Sequence, residues 1–232
     1  GHPGNTGDAL FWGKELGADI AHLSGYQGHG SLATPQNIPI TWVILTEGGI
    51  QVNARGERFA NELAGYSEAA PLVLSQPGKV AWNIYDARLH EMAQHGFADY
   101  RAAVEAGAVK KSDSISGLAQ ILNLPSEALA KTVSHMVDPA QFDIFGRDFD
   151  PNKKLHPPYF GVKVTGALFH TQGGLVINDD ASVRLSNGTA APNLFAAGGA
   201  ACGVSGPDVA GYLSGNGLLS AIAFGFVAGT NA

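Results

Sequence analysis

His170-Thr171-Gln172-Gly173-Gly174-Leu175-Val176-Ile177-Asn178 places a glycine pair directly ahead of an apolar, β-rich run. Paired glycines there imply backbone that passes close to something or takes a positive φ. The run opens a stretch, residues 174–197, that reads as strands. Within it Ser182-Val183-Arg184-Leu185-Ser186 leads into Asn187-Gly188, a strong hairpin signal. Beyond Gly215 the chain turns apolar and reads as a closing helix from about Gly217. Strands, hairpin and helix with mixed connections predict an α+β or α/β fold, not an all-α one.

Upstream the patterns alternate. Residues 1–22 read as a loop and a helix capped by Thr6 or Asp8, with Ala9, Trp12 and Leu16 on one face and Gly17 at its end. Residues 39–63 read as strands, from the run Pro39 to Leu45 through the alternating Ile50 and Val52 to a turn at Arg55-Gly56. Residues 66–140 read as mostly helical. Ser112 or Ser114 starts a helix carrying Ile115, Leu118 and Leu122, and Pro125 opens another carrying Leu129, Val133 and Met136. Residues 141–165, rich in Asp, Pro, Phe and Lys, read as irregular.

Composition excludes several functions. A formal charge of −6 without clustered Lys or Arg argues against a nucleic-acid surface. The single cysteine, Cys202, rules out an intrachain disulfide framework and any cysteine-built metal site, and fits the reducing cytoplasm, the compartment expected. The apolar stretch Leu218–Val227 is too short to span a bilayer. The 31 glycines, against an average usage of about 7%, crowd toward the C-terminus. The opening Gly1-His2-Pro3 shows no initiator methionine, so a processed or truncated start is expected.

Three familiar motifs fail. Gly28-His29-Gly30-Ser31-Leu32-Ala33 matches a loose dinucleotide pattern, but Ser24 to Gln27 does not read as a buried strand and Thr34-Pro35 cannot open a helix. His90 and His95 stand five apart, which on a helix turns the imidazoles about 140° from one another, too far for a shared metal. Gly203-Val204-Ser205-Gly206-Pro207 lacks the final glycine of a hydrolase elbow.

Five further segments point one way. They are Thr6-Gly7-Asp8-Ala9, Gln27-Gly28-His29-Gly30, Thr41, the unbroken Val52-Asn53-Ala54-Arg55-Gly56-Glu57-Arg58-Phe59-Ala60-Asn61-Glu62, and His170 to Gly174. Together with Pro192-Asn193-Leu194-Phe195-Ala196-Ala197-Gly198-Gly199 and Leu213-Ser214-Gly215-Asn216-Gly217-Leu218-Leu219, their order resembles the downstream part of the flavoproteins of the fumarate reductase and succinate dehydrogenase superfamily. There the corresponding motifs are T-G-D-G, Q-x-H-P, a carboxylate-binding Thr, V-N-x-x-G-x-R-F-x-N-E, H-T-x-G-G, P-G-L-Y-A-A-G-E and G-G-N-S-L.

The resemblance implies FAD as cofactor, with residues 1–22 and 171–232 as segments of an FAD-binding domain. Residues 23–170 would be an inserted α+β cap, with substrate between cap and flavin. It implies hydride exchange between flavin N5 and a carbon–carbon bond next to a carbonyl, with His29, Tyr66, His170 and Tyr212 as catalytic side chains and Thr41 binding substrate. Asp8, Gly173, Gly198, Gly199, Asn216, Leu218 and Leu219 would line the cofactor. No metal is implied. The strand and G-x-G-x-x-G turn that open such proteins are absent, so a missing N-terminal FAD segment is expected, and the alternative is a non-catalytic folded domain that binds no flavin by itself.

The departures refine the substrate. Tyr66 and Tyr212 occupy positions where the fumarate reductase branch carries arginines, and Gly199 replaces a glutamate. Losing both planar clamps argues against a small dicarboxylate. Two tyrosines suit a ketone or enone on an apolar body, nearer the ketosteroid and tricarballylate dehydrogenase relatives.

Overall fold

A computed structural model describes residues 3–136 and 143–232. Gly1 and His2, residues 137–140 of the expected helical stretch and residues 141–142 of the irregular one lie outside it. In chain order the elements are α1 (Asp8–Glu15), β1 (Ile20–Ala21), β2 (Tyr26–Ala33), β3 (Ile38–Pro39), α2 (Val43–Thr46) and β4 (Ile50–Val52). Then come α3 (Tyr66–Leu74), β5 (Val80–Asp86), α4 (Ala87–Gly96), α5 (Ala98–Glu105), β6 (Val109–Ser112), α6 (Ile115–Leu122) and α7 (Ser126–His135). The chain finishes with β7 (Tyr159–Thr171), β8 (Gly174–Leu175), β9 (Ser182–Arg184), β10 (Ala190–Phe195) and α8 (Asn216–Asn231). The fold is α+β. Among the described residues no helix is long and apolar enough to cross a membrane.

The chain divides into two compact units, His29–Ala167 and the pair of segments Gly1–Gly28 and Leu168–Ala232. These boundaries fall a few residues from those the sequence suggests, 22/23 and 170/171.

The His29–Ala167 unit is built on a sheet of strand order β3-β2-β7-β5-β4, with β6 also on β7. Strands β5 and β7 run antiparallel from Val80 opposite Thr165 to Asp86 opposite Tyr159. Ile50, Val52, Ile84, Val162 and Val164 are fully buried, with Leu89, Leu118 and Leu129 brought in by α4, α6 and α7. Each such side chain contributes about 1.5–3 kcal/mol. Local signals set the helix ends: Asp86 caps α4 by accepting from Leu89 N–H at 3.2 Å, and Ser114 caps α6 through Gly117 N–H at 3.1 Å.

The other unit has a small core of Leu175, Val183, Ala191, Ala196 and Ala201. Strand β1 pairs with β8, Ala21 opposite Gly174. Gly174 lies so close to the Ala201 backbone that any Cβ would overlap it, which is why the glycine pair is there. The Asn187-Gly188 hairpin forms between β9 and β10, with Gly188 at φ 86°.

Several expectations are corrected. The run Pro39–Leu45 is not a strand: only Ile38–Pro39 pairs, and Val43–Thr46 turns into a short helix. Ile40, Trp42, Ile44 and Leu45 are buried, and a short apolar run with that spacing carries no clean period to separate helix from strand. Residues 66–140 are interrupted by β5 and β6. Tyr26–Ala33 is a strand after all, its glycines admitting close neighbours: a Cβ on Gly30 would press on Ala69. The dinucleotide reading still fails, because β2 returns as a hairpin to β3 instead of opening a helix. Strand β7 begins inside the stretch expected to be irregular. Neither Thr6 nor Asp8 caps α1; Gly7 precedes it in a left-handed conformation, and Thr6 Oγ1 donates to Asp8 at 2.8 Å. Trp12 and Leu16 are exposed, and α1 packs instead through Gly13 against Leu175.

Candidate functional site

Five of the sequence-derived residues fall into two clusters, one in each unit. In the His29–Ala167 unit, a cleft of about 430 Å³ is lined by His29, Thr41, Trp42 and Tyr66 on one part and by Phe97 and Asp99 on another. His29 comes from β2, Thr41 from the turn before α2, Tyr66 from the first position of α3, and Phe97 and Asp99 from the elbow joining α4 to α5. The His29 ring lies 5.4 Å from that of Tyr66 and 6.2 Å, edge-on, from that of Trp42. Trp42 is anchored in turn, its indole N–H donating to Glu62 O at 3.1 Å.

His29 is only 8% exposed. Burial pushes its pKa down to about 4. Its Nδ1 accepts the Ser31 N–H at 3.2 Å, so the neutral ring carries its proton on Nε2. Thr41 Oγ1 accepts from Val43 N–H at 3.4 Å. No Lys or Arg is among the described residues lining the cleft, and Asp99 is its one charged side chain.

The second cluster lies in the unit Gly1–Gly28 plus Leu168–Ala232. His170 Nδ1 stands 3.0 Å from the Thr171 carbonyl, which only accepts, so Nδ1 carries the proton. In the neutral ring Nε2, 2.8 Å from the Tyr212 hydroxyl, accepts and Tyr212 donates. The rings meet at 73° with centroids 5.4 Å apart. Gly217, in the first turn of α8, sits against this imidazole: a Cβ there would stand 3.3 Å from Nε2.

The cofactor-binding candidates are spread over the same unit. Asp8 lies in the first turn of α1. Gly173 precedes β8, and Gly198 takes φ 56° with Gly199 beside it. Asn216 is buried, its amide donating to Ser205 Oγ, while Leu218 and Leu219 are exposed on α8. Among the described residues no side chain caps α8, whose Asn216 N–H instead donates to the Leu213 carbonyl at 3.1 Å. Gln172 is 1% exposed, and its Nε2 has no partner among the described residues. An uncapped helix start and an orphaned buried amide donor are what an electron-rich, acceptor-bearing group such as a flavin requires, so the residues fit FAD.

Sequence reasoning missed three things. Gln172 stands at the variable position of H-T-x-G-G and gave no signal. Phe97 and Asp99 sit in an ordinary helix–helix elbow. Arg147 also gave none. It donates to Glu62 at 2.9 Å, to Gly49 O at 2.8 Å and to Leu45 O at 2.8 Å. Glu62 is held from its other side by Arg58 at 2.8 and 2.7 Å, and Arg58 also pairs with Asp143. Burial by itself lowers the Arg58 pKa, but Glu62 and Asp143 outweigh it and hold the guanidinium above its ordinary value. Both guanidinium carbons lie 4.7 Å from the Phe149 ring. This network buttresses the turn after β4 and does not line the cleft. His90 and His95 diverge as expected: His90 stacks on Phe160, and His95 bonds the Glu91 carbonyl.

This α+β chain belongs to the FAD binding domain family, whose model matches residues 1–218, and with it to a family of FAD-binding oxidoreductases. It is 34% identical over 230 residues to a probable fumarate reductase, Ifc3, of Shewanella frigidimarina, covering 98% of this chain and 38% of that protein. It is 26% identical over 268 residues to a 3-oxosteroid 1-dehydrogenase of Mycobacterium tuberculosis, covering 98% of this chain and 46% of that one. The open conformation of a flavocytochrome c3 fumarate reductase superposes with a TM-score of 0.74 at 33% identity, over 97% of this chain and 39% of that one. The chain thus spans less than half the length of these relatives.

Proposed function

We propose that this chain is the substrate-handling and flavin-facing part of an FAD-dependent oxidoreductase that reduces or desaturates a carbon–carbon bond adjacent to a carbonyl. The substrate in this reading is an uncharged ketone or enone on an apolar body. The observation that carries it is the cleft around His29 and Tyr66: an imidazole kept neutral by burial, aromatic walls and, among the described residues, no cationic clamp for a carboxylate.

FAD, when bound, supplies hydride exchange at N5. It would be held by Asp8, Gly173, Gly198, Gly199, Asn216, Leu218 and Leu219. The neutral His29 and the Tyr66 hydroxyl would orient the substrate carbonyl, with Thr41 as a further hydrogen-bonding group. The Tyr212–His170 pair would move the proton. With His170 neutral, Tyr212 gives its hydrogen to Nε2 and presents lone pairs that accept a proton. With His170 protonated, the bond reverses and Tyr212 donates. One pair thereby serves desaturation or reduction.

The test is turnover by the full-length flavoprotein on a cyclic enone or ketone and on fumarate or succinate. The reading expects clear preference for the uncharged carbonyl compound. Fumarate turnover equal to the best ketone or enone would overturn it.

A further inference from the structure

We infer that Asp99, on the elbow between α4 and α5, sets the charge selectivity of the cleft by rejecting anionic ligands. The inference rests on the cleft being the substrate site.

The argument is an inventory of charge. Besides the elbow, the cleft is lined by His29, Thr41, Trp42 and Tyr66, none of them cationic at neutral pH. A carboxylate entering there finds no ion partner and meets the carboxylate of Asp99. Asp99 is exposed, so water and salt screen part of this repulsion, and the discrimination is largest at low ionic strength. An uncharged carbonyl compound of similar shape has no such conflict and gains the ring faces of Trp42 and Phe97.

Asp99 also has a structural use. It lies in the first turn of α5, where an acidic side chain favours the helix dipole. That role predicts a loss of stability on substitution and no change in ligand preference. Selectivity predicts the reverse, so the two are separable. Placing selectivity here also leaves the His29–Tyr66 pair independent of the substrate's charge, since discrimination acts through the start of α5 and not through the groups that hold the carbonyl.

The experiment titrates the 232-residue chain with two probes of one shape, 2-cyclohexen-1-one and 1-cyclohexene-1-carboxylate. Amide shifts of Thr41 and Phe97 report cleft occupancy. The wild type should bind the enone in preference to the carboxylate. At low ionic strength Asp99→Asn should tighten carboxylate binding up to about fivefold while moving enone binding less than twofold, the difference should shrink as salt is added, and Asp99→Glu should restore the wild-type preference. A thermal melt of each variant reports the helix-dipole contribution separately. If Asp99→Asn leaves the ratio of the two affinities unchanged, Asp99 does not select by charge, while enone binding in the cleft still upholds the substrate-site reading. If the wild type binds neither probe at these residues, that reading fails and takes the inference with it.

Discussion

The Tyr100 hydroxyl lies 2.7 Å from Nδ1 of His90 and 2.7 Å from the hydroxyl of Tyr85, and this chain of bonds runs in one direction only. Tyr85 is fully buried and its hydroxyl has Tyr100 as its partner, so Tyr85 donates to Tyr100 and Tyr100 donates to a neutral His90. A proton on Nδ1 would reverse the chain and leave the Tyr85 hydrogen without an acceptor.

Stability should therefore fall with acid at His90. Burial, and more weakly Lys111, lower its pKa, while Glu91 raises it, and the net value is below 6.5. A depressed folded-state pKa gives stability that is present above pH 6.5 and lost as the pH falls. Replacing His90 with Phe keeps the stack on Phe160 but strands the Tyr100 hydrogen, and should cost about 1–3 kcal/mol at pH 7. Urea titrations at pH 7 and pH 5 measure both effects; a His90→Phe protein as stable as wild type would show that the bond direction is wrong.

His29 should titrate near pH 4, against an ordinary value of 6.5. The sign is the same: the folded chain resists the proton, so stability attributable to His29 is complete above pH 6.5 and declines toward pH 4, by roughly 3 kcal/mol in all. Histidine ring shifts followed by NMR across this range would reveal it. A midpoint above pH 5.5 would mean that the imidazole is more hydrated than its position implies.

The Arg58–Glu62–Arg147–Asp143 network should be intolerant of removing one charge. Glu62 and Arg147 are almost wholly buried, and Glu62→Gln leaves two guanidinium groups with one carboxylate between them. The expected loss is about 3–5 kcal/mol. A denaturation midpoint shift corresponding to less than 1 kcal/mol would place the network in water.

Tyr212→Phe, made in the full-length flavoprotein, should lower turnover by about 10²–10³ while leaving FAD content intact, because it removes the group that exchanges a proton with His170 and leaves the fold of the helix start alone. His170→Asn should follow it. Rates within tenfold of wild type at full flavin occupancy would take the pair out of the reaction.

The single chain of residues determined a good deal by itself. The hairpin at Asn187-Gly188, the cap at Ser114, the stripes of α6 and α7, the left-handed Gly17 and the close approach at Gly174 all rest on interactions within a few residues or on the absence of a Cβ. Such signals are legible because their physics is local. The motif Val52 to Glu62 was equally plain as a pattern, and the Arg58–Glu62 pair within it joins residues four apart. What only the tertiary structure decided depends on partners far apart in the chain. The run Ile40–Leu45 closed into the short helix Val43–Thr46 only in its second half, since its buried residues, Ile40, Trp42, Ile44 and Leu45, match neither period cleanly. Arg147 acquired its place from Glu62, 85 positions away. The cleft gathers residues 29, 41, 66 and 97–99 from four separate elements, and the neutrality of His29 comes from that enclosure, since burial is a property of the folded surroundings and no spacing along the chain encodes it.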